Sequence, residues 1–525
     1  MSRTYSRMLA QLLSLTLFSI STLGQEEESI TAGATRGEQI YNHGVGNGGV
    51  AVEALVGEGN ASMPAAVLRC VNCHGPDGRG KPEGGIYPPN IRWSELSKPY
   101  AITTSSGRER PSYTESLAIR AITMGIDSSG THLNAAMPRY QLTRQQADDL
   151  VAYLKALDNI SDPGVTGQSI KLGVFLPPEE TFEGMNRALR ETLTAVFARV
   201  NDEGAIYGRK IICEFSTAPE SMRAEALRRF IEREKPFALV ESFIAGDESE
   251  IASIVQENGI PTIGAISLFS GIEVPANRYV FFLLSGVQGQ SEALMKFAAI
   301  QQRAAAARFI IVYDDEIGMQ MAIDRISEWA KKLGWVEPRK VNVSEVRDWS
   351  LLLQEQKVDV LLWLAGGEDF GRFFTAAAQD GVYPILLAPS ALVGPEIYDA
   401  PKQFSGKVFL AFPIVLSDQT REGENEFLEL ARTSRFSQGN LAERLTALSA
   451  ADLLIYVLQK AGKEVTREKI IQILEQLYRF DSGHTPPLTF TRNRRVGANG
   501  AHIIGIDLER KQPLPSSVWV ELESP

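Results

Sequence analysis

With 525 residues the chain is long enough for two to four domains, each burying its own core. Its hydrophobic share of 44% and charged share of 22% are those of a globular protein and exclude wholesale disorder. A net charge of −11 without any lysine- or arginine-rich run excludes nucleic acid as a partner.

Taken in chain order, residues 1–24 read as a secretory signal. Arg3 and Arg7 precede an apolar stretch from about Met8 to Ile20, and small residues lead to Gly24, near which cleavage is expected. The stretch is short for a membrane span and is broken by Gln11, Ser14 and Thr16. The expected location is therefore the periplasm. Next, Gly37-Glu38-Gln39-Ile40-Tyr41 opens a predicted helix with a small residue and an aromatic on one face.

Cys70-Val71-Asn72-Cys73-His74 follows. In an exported chain a C-x-x-C-H run reads as the attachment site of a c-type haem, with two thiols for thioethers and an imidazole for the iron. A structural disulfide, a dithiol redox pair and half of a zinc site remain as alternatives. For zinc the one other cysteine is Cys213, in an apolar stretch that reads as a buried strand. After the turn-forming run Gly75 to Gly80, the loop Tyr87-Pro88-Pro89-Asn90 offers a carbonyl to the Nδ1–H of His74, which would turn Nε2 toward iron.

A helix is predicted over Ser116 to Thr123, and another, capped by Thr143, over Arg144 to Leu157. Between them stands Met137-Pro138. A thioether sixth ligand suits electron transfer, so Met137 is preferred over Met63, over Met124 within a helix, and over His132.

Gly37 and Tyr41, the Cys70–His74 motif, Met137-Pro138 and Ala152-Tyr153-Leu154 together resemble a class I cytochrome c. The resemblance implies an all-α domain over 25–158 with crossing first and last helices, Gly37 meeting Tyr153. It implies one covalent haem c on Cys70 and Cys73, with His74 and Met137 as axial ligands, and periplasmic electron donor and acceptor proteins as partners. The long Gly-rich segment from His43 to Met63 departs from the family pattern.

Residues 159–169 are rich in chain breakers and read as a linker. Beyond them short apolar strands alternate with amphipathic helices. Strands are predicted at Ile170–Leu176, Ala238–Glu241, Thr262–Ala265, Phe309–Tyr313, Val358–Leu364 and Ile385–Ala388. Helices are predicted at Met185–Val200, Ala224–Glu234, Met319–Leu333 and Asp369–Gln379. Such alternation argues for an α/β fold with largely parallel sheets.

Asn201 to Lys210, Gly259 to Ile263, Tyr313 to Gly318, Leu445 to Lys463 and Phe490, in that order, resemble the periplasmic binding proteins of the branched-chain amino acid type. The resemblance implies a two-lobed fold over 170–525. Lobe 1 would take about 170–286 and 414–485, and lobe 2 about 287–413 and 486–525, with the ligand between lobes that close by hinge bending. By position, Ser242, Ser267 and Phe182 are the first-lobe ligand candidates and Glu368 the second-lobe one. The serines read equally as helix caps, and Glu368 as a helix N-terminal charge. Ile317 stands where the family commonly has an aromatic, and Ala265-Ile266-Ser267 lacks the usual threonine, so amino acid specificity does not carry over.

The combination points to an electron carrier fused to a small-solute receptor, in the setting of a periplasmic quinoprotein dehydrogenase. The alternatives are a solute receptor of an ABC permease with an accessory cytochrome, and an enzyme feeding electrons to its own haem. That section shows no nucleotide fingerprint, second haem motif or metal-spaced His/Cys cluster, which weighs against the enzyme.

Overall fold

The computed structural model describes residues 32–57, 59–80, 88–103, 109–159, 161–245, 248–270, 277–301, 307–315, 319–356 and 358–522. The signal segment, Tyr87 and Ile317 lie outside them. The chain divides into two compact units, 1–161 and 162–525. No described helix is long and apolar enough to cross a membrane.

The first unit is built on helices. Residues 32–43 form the first, and Arg144–Ala156 the last. The last helix starts at a capping box, in which Thr143 accepts from the Gln146 amide and the Gln146 side chain accepts from the Thr143 amide. The two helices meet at Gly37, where an added Cβ would lie 2.1 Å from the Asp149 carbonyl oxygen and 2.8 Å from Tyr153 Cβ. Only glycine permits that approach. Tyr41 and Tyr153 then pack with ring centroids 5.2 Å apart, and Arg36 forms a two-pronged ion pair with Asp149 at 2.8 and 2.7 Å. Glu115–Met124, capped by Thr114, completes the frame.

The Gly-rich segment is not a free loop. Glu53–Val56 pairs antiparallel with Ala61–Pro64 on one side and with Arg139–Gln141 on the other. A small three-stranded sheet is thereby added to the helical frame.

The second unit has two sheets. In the first, six parallel strands run in the order Val496–Ala498, Val280–Leu284, Thr262–Ile263, Ala238–Val240, Ser169–Phe175, Lys210–Ser216. In the second the order is Arg339–Asn342, Phe309–Tyr313, Val360–Leu364, Ile385–Pro389, Val408–Phe412, Gly500–Asp507, Gln512–Glu521, in which only Gly500–Asp507 runs against the others. Strands covered by helices on both faces are apolar throughout, as in the fully buried Val360–Leu364. Helix Glu179–Asp202 shows the matching stripe, burying Leu189, Leu193, Val196 and Phe197.

Two boundaries differ from the sequence reading. Residues 162–168 belong to the second unit: the Gly164 carbonyl accepts from the Lys171 amide at 2.7 Å, and Asp162 accepts from the Arg467 amide. The third crossing between lobes falls at Asn499, not near 486. Leu488 and Phe490 are buried in the first-lobe core, where Phe490 meets Phe281 edge-on at 5.4 Å, and Val496–Ala498 extends the first-lobe sheet. Apolar residues of this kind fit either core, so composition does not assign them. Ser285 ties the first crossing to the third, donating to the Ala498 carbonyl at 3.1 Å and accepting from the Gly500 amide at 2.9 Å.

Candidate functional site

Cys70–His74 forms a single helical turn that ends at Gly75 with φ 76°. Cys70 is buried in the core of its unit, and Cys73 is exposed. Both thiols are free. Burial pushes the Cys70 thiol up to about 11.

Two tyrosines grip the backbone on either side of this turn. Tyr41 donates to the Gly75 carbonyl at 2.6 Å, and Tyr140 donates to the Leu68 carbonyl at 2.5 Å. The described residues 75–80 and 88–90 meet closely after the turn. The Gly80 amide donates to the His74 carbonyl at 2.8 Å, and a Cβ on Gly80 would lie 2.1 Å from the Pro88 carbonyl oxygen.

That packing brings the Pro89 carbonyl to 3.1 Å from His74 Nδ1. A carbonyl only accepts, so Nδ1 carries the proton and Nε2 keeps its lone pair. Burial holds the imidazole below its ordinary range, favouring this neutral form. His74 is 4% exposed, and its Nε2 is buried without a hydrogen-bond partner. An orphaned imidazole nitrogen beside two free thiols on one turn fits a haem whose iron takes that nitrogen.

Met137 is half-buried and packs against the same core as Cys70. Its loop is a turn in which the Met137 amide donates to the Asn134 carbonyl at 2.9 Å. Of the rivals, Met124 is 58% exposed and His132 is exposed, bridging to Ile126 through its backbone. The Met137 loop is stitched to the added sheet. The Gly57 amide donates to the Ala135 carbonyl at 3.3 Å, and Arg139 donates to the Gly57 carbonyl at 2.7 Å. Tyr140 and this sheet were not legible as parts of the site. The only signal was Tyr140 in alternation with Pro138 and Leu142.

In the receptor unit the serine candidates are spoken for. Ser242 is fully buried; its hydroxyl accepts from the Phe175 amide at 3.0 Å and donates to the Val240 carbonyl at 3.2 Å. Ser267 donates to Glu248 at 2.9 Å and accepts from the Phe269 amide at 2.9 Å. Both hydroxyls knit strand-end loops together, each with its one proton already donated inside the protein. Phe182 sits in the first turn of helix Glu179–Asp202 with non-helical φ −124° and ψ 32°, and its ring packs on Phe243 at 5.4 Å. Glu368 lies in the short helix Gly367–Asp369, and its side chain is outside the described residues.

Sequence reasoning passed over Glu241, the residue after strand Ala238–Val240. It adopts φ 44°, is 2% exposed, and its Oε2 makes no hydrogen bond. Burial pushes its carboxyl up to about 8, so it is protonated at neutral pH.

Comparison with known proteins agrees with this division. Residues 169–509 match the family model described as periplasmic binding protein, and residues 57–158 match the cytochrome c model. Among curated proteins none matches in sequence. A fatty acid ABC transporter substrate-binding protein from Thermomonospora curvata superposes with a TM-score of 0.51 at 17% identity, over 69% of this chain and 94% of that one. A branched chain amino acid ABC transporter from Thermus thermophilus, with bound valine, gives 0.51 at 17% identity, over 67% and 97%. A leucine-binding protein of Thermotoga maritima gives 0.52 at 16% identity, over 67% and 99%. At these identities the likeness is one of fold. Two α/β lobes joined by three crossings, and a family match over residues 169–509, place the chain in the periplasmic binding protein family, with a cytochrome c domain preceding the two lobes in sequence.

Proposed function

We propose that the chain is an exported one-electron carrier whose receptor unit binds a small organic solute, working beside a periplasmic quinoprotein dehydrogenase. The observation that carries the redox half is His74, with Nδ1 held by Pro89 and a buried Nε2 without a partner. Cys70 and Cys73 would hold one haem c covalently, and His74 and Met137 its iron; bound there, the group supplies a one-electron couple. The chain's own residues set its surroundings. Pro89 fixes the tautomer and orientation of the imidazole, Tyr41 and Tyr140 hold the backbone flanking the turn, and Asn134 with the added sheet holds the Met137 loop. Filling both axial positions leaves no open site for substrate, which supports electron carriage over catalysis at the iron.

Met137→Ala is expected to abolish the low-spin six-coordinate signature of the reduced optical spectrum while the haem remains bound. An unchanged spectrum would overturn the ligand assignment.

For the receptor half, the known ligands of similar folds are fatty acid and valine. Here the serine hydroxyls are committed internally, and two aromatic rings, Phe182 and Phe243, stand after neighbouring strands. That composition supports an uncharged organic solute over one held by carboxylate and ammonium groups. The second reading, a receptor delivering solute to an ABC permease with the cytochrome as accessory, rests on the transport role in those relatives' names. A thermal-shift screen of the full chain separates the two. Stabilisation by small alcohols or aldehydes, by several degrees at saturating ligand, is expected. Hits confined to branched-chain amino acids would overturn the dehydrogenase setting in favour of the permease.

A further inference from the structure

Glu426 on helix Arg421–Ser434, Asp452 on helix Leu441–Ala461 and His484 in the segment that follows converge in the first lobe. One donor atom from each lies within 4.8 Å of the others. We propose that these three side chains bind one divalent transition-metal cation, which staples the two helices and the His484 segment together.

His484 carries the argument. Its side chain is fully buried, and neither ring nitrogen makes a hydrogen bond. Nε2 points between the carboxylates, 3.4 Å from Asp452 Oδ2 and 3.6 Å from Glu426 Oε2. A charge-assisted hydrogen bond would draw such a pair to about 2.7–2.9 Å. Two donors sharing an ion at bonds of about 2.0–2.2 Å, in a tetrahedral arrangement, stand roughly 3.4 Å apart. Both separations lie within ion-pair range, and they match equally the spacing of ligands around one shared ion.

The surroundings keep the three donors in place. Arg199 binds Glu426 Oε1, which leaves Oε2 turned into the cluster. Ser449 lies 2.8 Å from the hydroxyls of both Ser482 and Thr485, and the Thr420 amide donates to the Gly483 carbonyl at 3.0 Å. The Glu426 and Asp452 side chains are 31% and 21% exposed, so an ion has an entry path and a water can complete its shell. One imidazole with two carboxylates suits zinc or manganese. The donors are scattered over some sixty residues, so no sequence motif announces them.

Zinc is the probe. The full chain, purified without chelator, is expected to retain one zinc per chain beyond the haem iron. Chelation should lower the melting temperature of the receptor unit by about 3 °C or more, and added zinc should restore it. Asp452→Asn and Glu426→Gln, which preserve shape, should each weaken zinc binding about tenfold or more. They serve as the test should His484→Gln fail to fold. A wild type that retains no metal and melts unchanged with zinc overturns the proposal, leaving an ion-paired histidine. Equal zinc binding by the two carboxylate variants overturns it as well, because the metal then sits elsewhere.

Discussion

Replacing Cys70 and Cys73 together by alanine is expected to yield an exported chain with no haem surviving denaturing electrophoresis, where the wild type shows one haem-staining band. The two thiols stand on a single turn beside an imidazole whose buried Nε2 has no hydrogen-bond partner, and neither thiol is in a disulfide. Any haem held only by His74 and Met137 would leave with the fold, because coordination bonds depend on the folded loop and thioethers do not. A persistent haem band in the double variant would sink the assignment of the motif. Loss of the band together with an unchanged melting of the receptor unit would assign the effect to the first unit alone.

The second large effect concerns Gly37. A valine there would place its Cβ 2.1 Å from the Asp149 carbonyl oxygen, backbone that cannot rotate away. The crossing helices would have to separate, and the Tyr41–Tyr153 contact and the Arg36–Asp149 pair would separate with them. Overpacking against backbone at the centre of a small helical unit costs about 3 kcal/mol or more. The haem-bearing unit of Gly37→Val is therefore expected to unfold at markedly lower denaturant, followed by visible circular dichroism of the haem in the full chain. Gly371 offers the contrast: it lies exposed in helix Phe370–Asp380 with nothing within 4 Å of an added Cβ. Gly371→Ala should be neutral or stabilise the receptor unit by up to about 1 kcal/mol. Equal stability of the wild type and Gly37→Val would refute the close crossing.

What the sequence made legible was local or periodic. The strand Phe309–Tyr313 and the helix Arg144–Ala156 follow from apolar runs and a cap, and C-x-x-C-H is compressed into one helical turn. What stayed hidden depends on partners remote in the chain. The Ser242 hydroxyl accepts from the Phe175 amide, 67 positions earlier, a partner that no local pattern announces. Leu488 and Phe490 are apolar in a way that either lobe accepts, which is why the third crossing was misplaced. Glycines between His43 and Met63 signal turns and conceal the hairpin they connect, whose other partner, Arg139–Gln141, lies beyond the haem motif. Glu426, Asp452 and His484 are neighbours only after two helices have packed.

One detail of the Cys70–His74 turn distinguishes its two thiols. In the folded unit the Cys70 sulfur faces the core, and burial keeps it protonated well above neutral pH. Thiol reactivity follows exposure, so in the haem-free chain an added alkylating reagent should label Cys73 well ahead of Cys70. One turn thus presents one cysteine inward and the other outward, and the order in which the two are labelled would read that orientation directly.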